Sequence, residues 1–267
     1  MGFLKNQFKK AVFNISANYA PLVKMFYKAT YKPKKGTLSE MLDKFARANR
    51  PVTFLQVGAN DGFYHDPLHK FIRMYGWRGV MLEPQPTVFK NFLSKLHKNT
   101  PGVHAINAAL SDKDGEQTMF KIAFSNLRWA TGLTSFRKDA LEKAIDSGHV
   151  GRMVARYGEK LPARREDYIA EEKITSITAD TLIRKYELKK IDWVQIDAEG
   201  FDYEIIKLLK IETTQPQVIV YEKSHLSSAD QSACIALLER NGYAVTHLDE
   251  NTVAMKKPLN DFESFFR

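Results

Sequence analysis

Phe54-Leu55-Gln56-Val57-Gly58-Ala59-Asn60-Asp61-Gly62 is an apolar run that stops at a glycine turn and passes into a polar loop. The run reads as a buried strand and the turn as a ligand loop. Gly58 and Gly62 tolerate backbone angles closed to other residues and let a ligand approach the main chain, and the first amides of the next helix are unpaired donors. A second short strand, Gly79-Val80-Met81-Leu82, ends on Glu83. In nucleotide-binding α/β folds, an acid about 20 residues past the glycine turn bonds the ribose hydroxyls. The loop is not a full G-x-G-x-x-G, and Asn60 and Asp61 would repel a pyrophosphate. These features predict a ligand with a ribose and no phosphate, the chemistry of S-adenosylmethionine.

Outward from this stretch, strands and helices alternate. Helices are expected at 67–75 and 87–98, a strand at 103–107, and a further strand at 116–124 after Asp114-Gly115, which reads as a hairpin turn. The alternation resumes with a strand at 174–178, a helix at 179–186, and an apolar strand at 192–196 ending on Asp197. A helix at 201–210, a strand at 217–221 ending on Glu222, and a helix at 229–241 closed by Gly242 follow. The chain then finishes with strands 243–248 and 252–256 around Asp249-Glu250-Asn251, a hairpin rather than a crossover.

The prediction is an α/β fold: a doubly wound, seven-stranded, mostly parallel sheet with a C-terminal antiparallel hairpin. That Rossmann-like ending is the architecture of class I methyltransferases, whereas dinucleotide dehydrogenases add a sixth parallel strand. The domain is assigned to residues 51–267. An insertion at about 125–172 is read as a loop to residue 136 and as charged helix beyond it. Residues 1–50 are assigned as a basic amphipathic helical extension, whose last helix starts at Thr37 with a reciprocal capping box to Glu40.

At 267 residues, with 44% hydrophobic and 27% charged residues, the chain is long enough for one substantial core. Its net charge of +9 is concentrated. Residues 1–36 hold eight lysines and no Asp, Glu or Arg, which leaves only +1 for the other 231 residues. A near-neutral core argues against nucleic acid as a partner and moves the electrostatic question to the N-terminus. There, lysines alternate with aromatics and aliphatics. The pattern fits either a helix packed across the domain or peripheral contact with an anionic membrane surface through residues 1–36. Cys234 stands alone, so no internal disulfide or cysteine-based zinc site forms. No apolar run reaches membrane-spanning length and no secretory signal is recognisable, so the location is read as cytoplasmic, with peripheral attachment at the inner membrane surface as the variant.

The rim beyond the strand ends carries the candidate chemistry. Asp197-Ala198-Glu199-Gly200-Phe201-Asp202 places three carboxylates in six residues, a crowding that raises pKa values or favours a cation, although helix capping explains one or two of them. His225 follows Glu222, and histidine is the side chain that most often serves as a general base. His65 and His69, with Asp66 between them, mimic a metal spacing but sit amid Phe63, Tyr64, Leu68 and Phe71. Arg152, Arg156, Arg164 and Arg165 read as a solvated face diluted by neighbouring acids.

Taken together, the motifs resemble the FkbM-type S-adenosylmethionine-dependent methyltransferases. The resemblance rests on residues 57–62, Asp66-Pro67-Leu68, Gly76-Trp77-Arg78-Gly79 leading to Leu82-Glu83-Pro84, and Asn107 through Asp112. It continues through Thr178 to Leu182, Ile196 to Asp202, and Tyr221-Glu222 before His225. It implies O-methylation of a hydroxyl on a sugar, glycan or other natural product. Carried over by motif, Gly58, Ala59, Asn60 and Asp61 would meet the methionine end, Glu83 with Pro84 the ribose, and Ala109, Leu110 and Ser111 the adenine. Asp197 and Glu199 would face the methyl group and acceptor, with Asp197, Glu199 or His225 as the base, or a divalent ion such as magnesium acidifying the hydroxyl. A nicotinamide-dependent oxidoreductase and a non-catalytic membrane- or partner-binding protein are the competing classes.

Overall fold

The computed structural model describes residues 2–266, with the side chains of Gln7 and of residue 10 onward. In chain order the strands are β1 (Thr53–Val57), β2 (Arg78–Leu82), β3 (Val103–Ile106), β4 (Ala109–Leu110), β5 (Gly115–Ile122), β6 (Ile169–Ile177), β7 (Trp193–Ile196), β8 (Val218–Glu222), β9 (Tyr243–Leu248) and β10 (Asn251–Lys256). The main sheet has seven strands in the order β3-β2-β1-β7-β8-β10-β9. The first five of these run parallel, and β10 enters antiparallel between β8 and β9. This is the doubly wound sheet with a C-terminal antiparallel hairpin that the pattern predicts.

Side chains alternate across the sheet and build a core on each face. Leu55, Val57, Leu82, Val194, Ile196, Ile219 and Tyr221 pack against the helices Ala179–Lys185, Asp202–Leu208 and Ser228–Arg240. On the other face, Phe54, Met81, Trp193, Val218, Val220 and Val253 meet helix α3 (Leu38–Ala48) and the helix His69–Tyr75. Because both faces are covered, the central strands read as near-continuous apolar runs rather than as alternating ones. Met41, Leu42, Phe45 and Ala46 of α3 belong to this second core.

Register places the site. Val57 pairs with Leu82 on one side and with Ile196 on the other, and Ile196 pairs with Tyr221. The next residues, Glu83, Gly58, Asp197 and Glu222, therefore emerge level on one rim.

Three local expectations are corrected. The Asp114-Gly115 turn does not make a hairpin of β4 and β5. Instead, β4, β6 and β5 form a separate three-stranded sheet in which β6 lies between them. The Asp114 carboxylate accepts from the Thr178 amide at 2.7 Å and the Thr181 hydroxyl at 2.7 Å, so the turn is occupied in holding the next helix. The charged stretch to residue 172 is helical only at Lys138–Asp146 and His149–Tyr157, apart from a short 3-10 turn at Arg165–Tyr168. From Ile169 it is strand, because its charges pair across strands, with Lys121 to Glu172 at 2.6 Å and Lys173 to Glu116 at 2.8 Å. Finally, the reciprocal box at Thr37 does not form. The Thr37 hydroxyl donates to the Lys34 carbonyl at 2.6 Å, Glu40 takes the Gly36 amide at 2.7 Å, and Asp249 takes the Leu38 amide at 3.1 Å.

Gly58 is required by packing. Its φ is +80°, and a Cβ there would lie 1.8 Å from the Asp197 carbonyl oxygen. The position a side chain would take is filled by the backbone of Asp197, just past β7. Gly36 has a similar φ of +71° but nothing within 4 Å. Gly36→Ala should therefore cost only the left-handed backbone penalty, about 1 kcal/mol. Gly58→Ala should cost at least about 3 kcal/mol, because strain and overlap add. Urea unfolding of both variants checks this, and equal costs would contradict the packing explanation.

Candidate active site

Glu83 is where the first two strands meet. Its carboxylate is buried and accepts the Asn60 amide at 2.8 Å on one oxygen and the Gln85 amide at 2.8 Å on the other. Its own carbonyl accepts from Asn107 at 2.8 Å, and the same amide group reaches the Pro84 carbonyl at 2.9 Å. Burial pushes the Glu83 carboxyl up to about 7 against the pull of those two amides. Each carboxylate oxygen can accept a further bond, and Glu83 lines the cleft above the rim.

That cleft, about 620 Å3 and open to solvent, runs from Gly58, Asn60 and Glu83 past Asp197 and Glu199. Its apolar wall includes Leu82, Pro84, Ala109, Leu110, Met119, Phe136, Phe201 and Ile205. Ala109 and Leu110 are held in place by β6, which pairs with them at Ser176 and Ile177. The short helix Arg128–Thr131 and the turn after it close the far side with Thr131, Gly132 and Thr134, and Gln85 ties this cover down by donating to the Thr131 carbonyl at 2.8 Å.

The three crowded carboxylates divide by role. Asp202 is fully buried and accepts the Ala198 and Gly200 amides at 3.4 and 3.2 Å, so it holds the turn in shape. Burial, then Asp197, pushes it to about 7. Asp197 and Glu199 face the cleft instead. The surrounding protein, then Glu222, raises Asp197 to about 6, partly offset by Arg128. Glu199 lies well above the ordinary carboxylate range, through burial and then through Asp197, Glu222 and Asp202. His225 Nε2 stands 3.4 Å from Glu199 Oε2 and 3.9 Å from Glu222 Oε1. A neighbouring groove lined by His225, Arg137, Lys143, His149 and Arg152 meets the cleft at Glu199.

The cleft thus brings together Gly58, Asn60, Glu83, Pro84, Ala109, Leu110, Asp197 and Glu199 from the sequence-derived set. Four others lie elsewhere. Ala59 faces a polar hollow on the other side of the loop, beside Gln56, Asp66 and Arg128. Asp61 takes the Phe63 and Tyr64 amides at 2.8 Å each and the Arg128 guanidinium at 2.7 Å, so it braces the loop. Ser111 accepts from Gln117 and donates to Asp112. His225 lines the groove rather than the cleft. Sequence reasoning missed Arg128, which also reaches Asn60 at 3.3 Å. Sixty-seven residues separate it from Asp61, and no local pattern marks it. Asn107 lies within a motif that assigns it no role, and Gln85 directly follows Pro84 with no local signal to mark it.

No three His, Cys, Asp or Glu side chains converge as a metal-holding group among the described residues. His69 is buried against Ser16 at 2.9 Å, while Asp66 caps the following helix by accepting the Leu68 and His69 amides. The His65–His69 spacing therefore marks a helix start.

Comparison with known proteins bears on the family. Residues 56–245 match the methyltransferase FkbM domain. No curated protein matches. Among solved structures, the methyltransferase FkbM from Methylobacillus flagellatus KT is 11% identical with a TM-score of 0.44, over 93% of this chain and 59% of that one. The S-adenosylhomocysteine-bound methyltransferase PaMTH1 of Podospora anserina is 11% identical with a TM-score of 0.42, over 90% and 88%. A precorrin-6y C5,15-methyltransferase from Geobacter metallireducens GS-15 is 13% identical with a TM-score of 0.39, over 85% and 94%. With the domain match covering well over half of its length, the chain belongs to the FkbM methyltransferase family.

Proposed function

We propose that the chain catalyses O-methylation, from S-adenosylmethionine to a hydroxyl of a sugar, a glycan or another polyhydroxylated natural product. The observation that carries this reading is the level ending of adjacent strands, which sets Gly58, Glu83, Asp197 and Glu222 along one rim. The apolar wall around Leu110, Met119 and Phe136 suits a purine, and Glu83 suits the ribose hydroxyls. Asp197 and Glu199, strained by crowding, are relieved by positive charge nearby. S-adenosylmethionine, when bound, supplies a methyl group already activated on a positive sulfur. The residues then have mainly to align the acceptor oxygen and exclude water.

The groove beside the cleft suits a polar acceptor, since Ser224, Ser227, His149 and Arg152 line it. At its junction with the cleft, His225 is assigned as the base that removes the hydroxyl proton. Glu199 and Glu222 hold its ring and stabilise the imidazolium that results. No group of three metal-holding side chains forms among the described residues, and this reading assigns the proton to His225 rather than to a divalent ion. A nicotinamide dinucleotide suits the rim less well, because the Asn60 amide that would meet a phosphate is already taken by Glu83.

Calorimetry tests the cofactor. Wild type should bind S-adenosylmethionine and not NAD, and Glu83→Ala should lose at least roughly 1–3 kcal/mol of binding, from the ribose hydrogen bonds together with the released Asn60 amide, while secondary structure by circular dichroism is retained. Absence of methyl-donor binding by wild type would contradict the reading. Because Asp197 and Glu83 must be ionised to receive the ligand, affinity should rise with pH through about 6 to 7 and then level off. S-adenosylhomocysteine, which lacks the sulfonium charge, should show a shallower rise, whereas a flat profile for both would sink the electrostatic argument. Methyl transfer to a panel of sugar acceptors should survive chelation by EDTA and fall at least about a hundredfold in His225→Ala, in line with loss of a general base.

A further inference from the structure

The N-terminal helices α1 (Gly2–Asn18) and α2 (Ala20–Thr30) have two apolar faces, and only one of them is used by the fold. On the inner face, Phe13 meets the rings of Phe63 and Phe92 edge-on at 5.8 Å each, Ser16 bonds His69, Val23 is buried, and Tyr27 packs on His69. Ile15 follows Phe13 by two residues, and Met25 follows Val23 by two. That offset is about 200° around a helix, onto the opposite side. There, Ile15, Tyr19, Leu22, Met25 and Phe26 are 43, 60, 53, 66 and 59% exposed. Large apolar side chains grouped this way on consecutive turns are not the scattered singletons of an ordinary surface.

The charge around this face is of one sign. Lys24 and Lys28 flank the stripe one turn apart, and residues 1–36 contain eight lysines with no acid. Lys28 also shares a hollow with Arg47 and Arg50. The acids closest in sequence to that hollow are engaged. Asp43 pairs with Arg47 at 2.8 Å and accepts from Tyr75 at 3.1 Å, and Glu40 accepts the Gly36 amide. No helix among the described residues is long and apolar enough to cross a membrane.

We propose that this outer face docks the chain onto an anionic lipid surface, with Leu22, Met25 and Phe26 entering the headgroup boundary and the lysines pairing with lipid charge. A second copy of the chain would repel this face, since its own face is equally cationic. An acidic protein with an apolar groove is the competing occupant, and it would leave anionic vesicles unbound.

Cosedimentation of the full chain with vesicles tests this. Binding is expected to phosphatidylcholine vesicles containing about a third phosphatidylserine, at least about tenfold weaker to phosphatidylcholine alone, and falling as salt rises through the screening range. The double variant Leu22→Asp, Met25→Asp should abolish binding, and Lys24→Glu, Lys28→Glu should weaken it at least about tenfold. Both should leave the melting temperature and S-adenosylmethionine affinity unchanged, which separates lost docking from lost folding. Lack of binding to anionic vesicles, binding indifferent to the apolar variants, or a dimer that the apolar variants dissociate would each overturn the proposal.

Discussion

The contact between the Glu83 carboxylate and the Asn60 amide is the tie on which the rest of the site depends. It joins the ends of β1 and β2 across the mouth of the cleft, and it places a carboxylate in a buried wall where water does not stabilise its charge. Gly58 completes the arrangement from the other side, pressed against the Asp197 carbonyl. Three strand ends are thereby fixed relative to one another before any ligand arrives. Preorganisation of this kind matters for a reaction in which alignment is the protein's main contribution.

Electrostatics explains why the rim is built from acids. Glu83, Asp197, Glu199 and Asp202 all lie above the ordinary carboxylate range, each through burial first and, for the last three, through neighbouring acids next. Glu83 and Asp202 are each held by two backbone amides, but only Glu83 also lines the cleft. Asp197 and Glu199 line the cleft as well, and Arg128, which lowers both and pairs with Asp61, reaches across the loop.

Much of this was legible in the sequence because parallel sheets demand it. Buried apolar strands such as 193–196 end abruptly on polar residues, and topology then requires those ends to share a rim, so Gly58, Glu83, Asp197 and Glu222 could be brought together without coordinates. The contributions of single residues were less legible. Asp61 and Glu83 look alike in sequence, yet one braces a turn and the other lines the cleft, a difference set by Arg128 from a distant helix. The small second sheet was hidden because Glu171 and Glu172 read as part of a charged, solvated helix, and only their cross-strand partners show otherwise. In α1 and α2 the pattern mixed two apolar stripes, which only packing against His69 and Phe63 could separate.

A crystal structure of the chain with S-adenosylhomocysteine is the most direct test of the central claim. The ribose hydroxyls should lie on the Glu83 carboxylate, with the adenine against Leu110 and the sulfur toward Asp197 and Glu199. A nucleoside bound away from the rim, or Glu83 turned out of the cleft with its hold on Asn60 retained elsewhere, would contradict it.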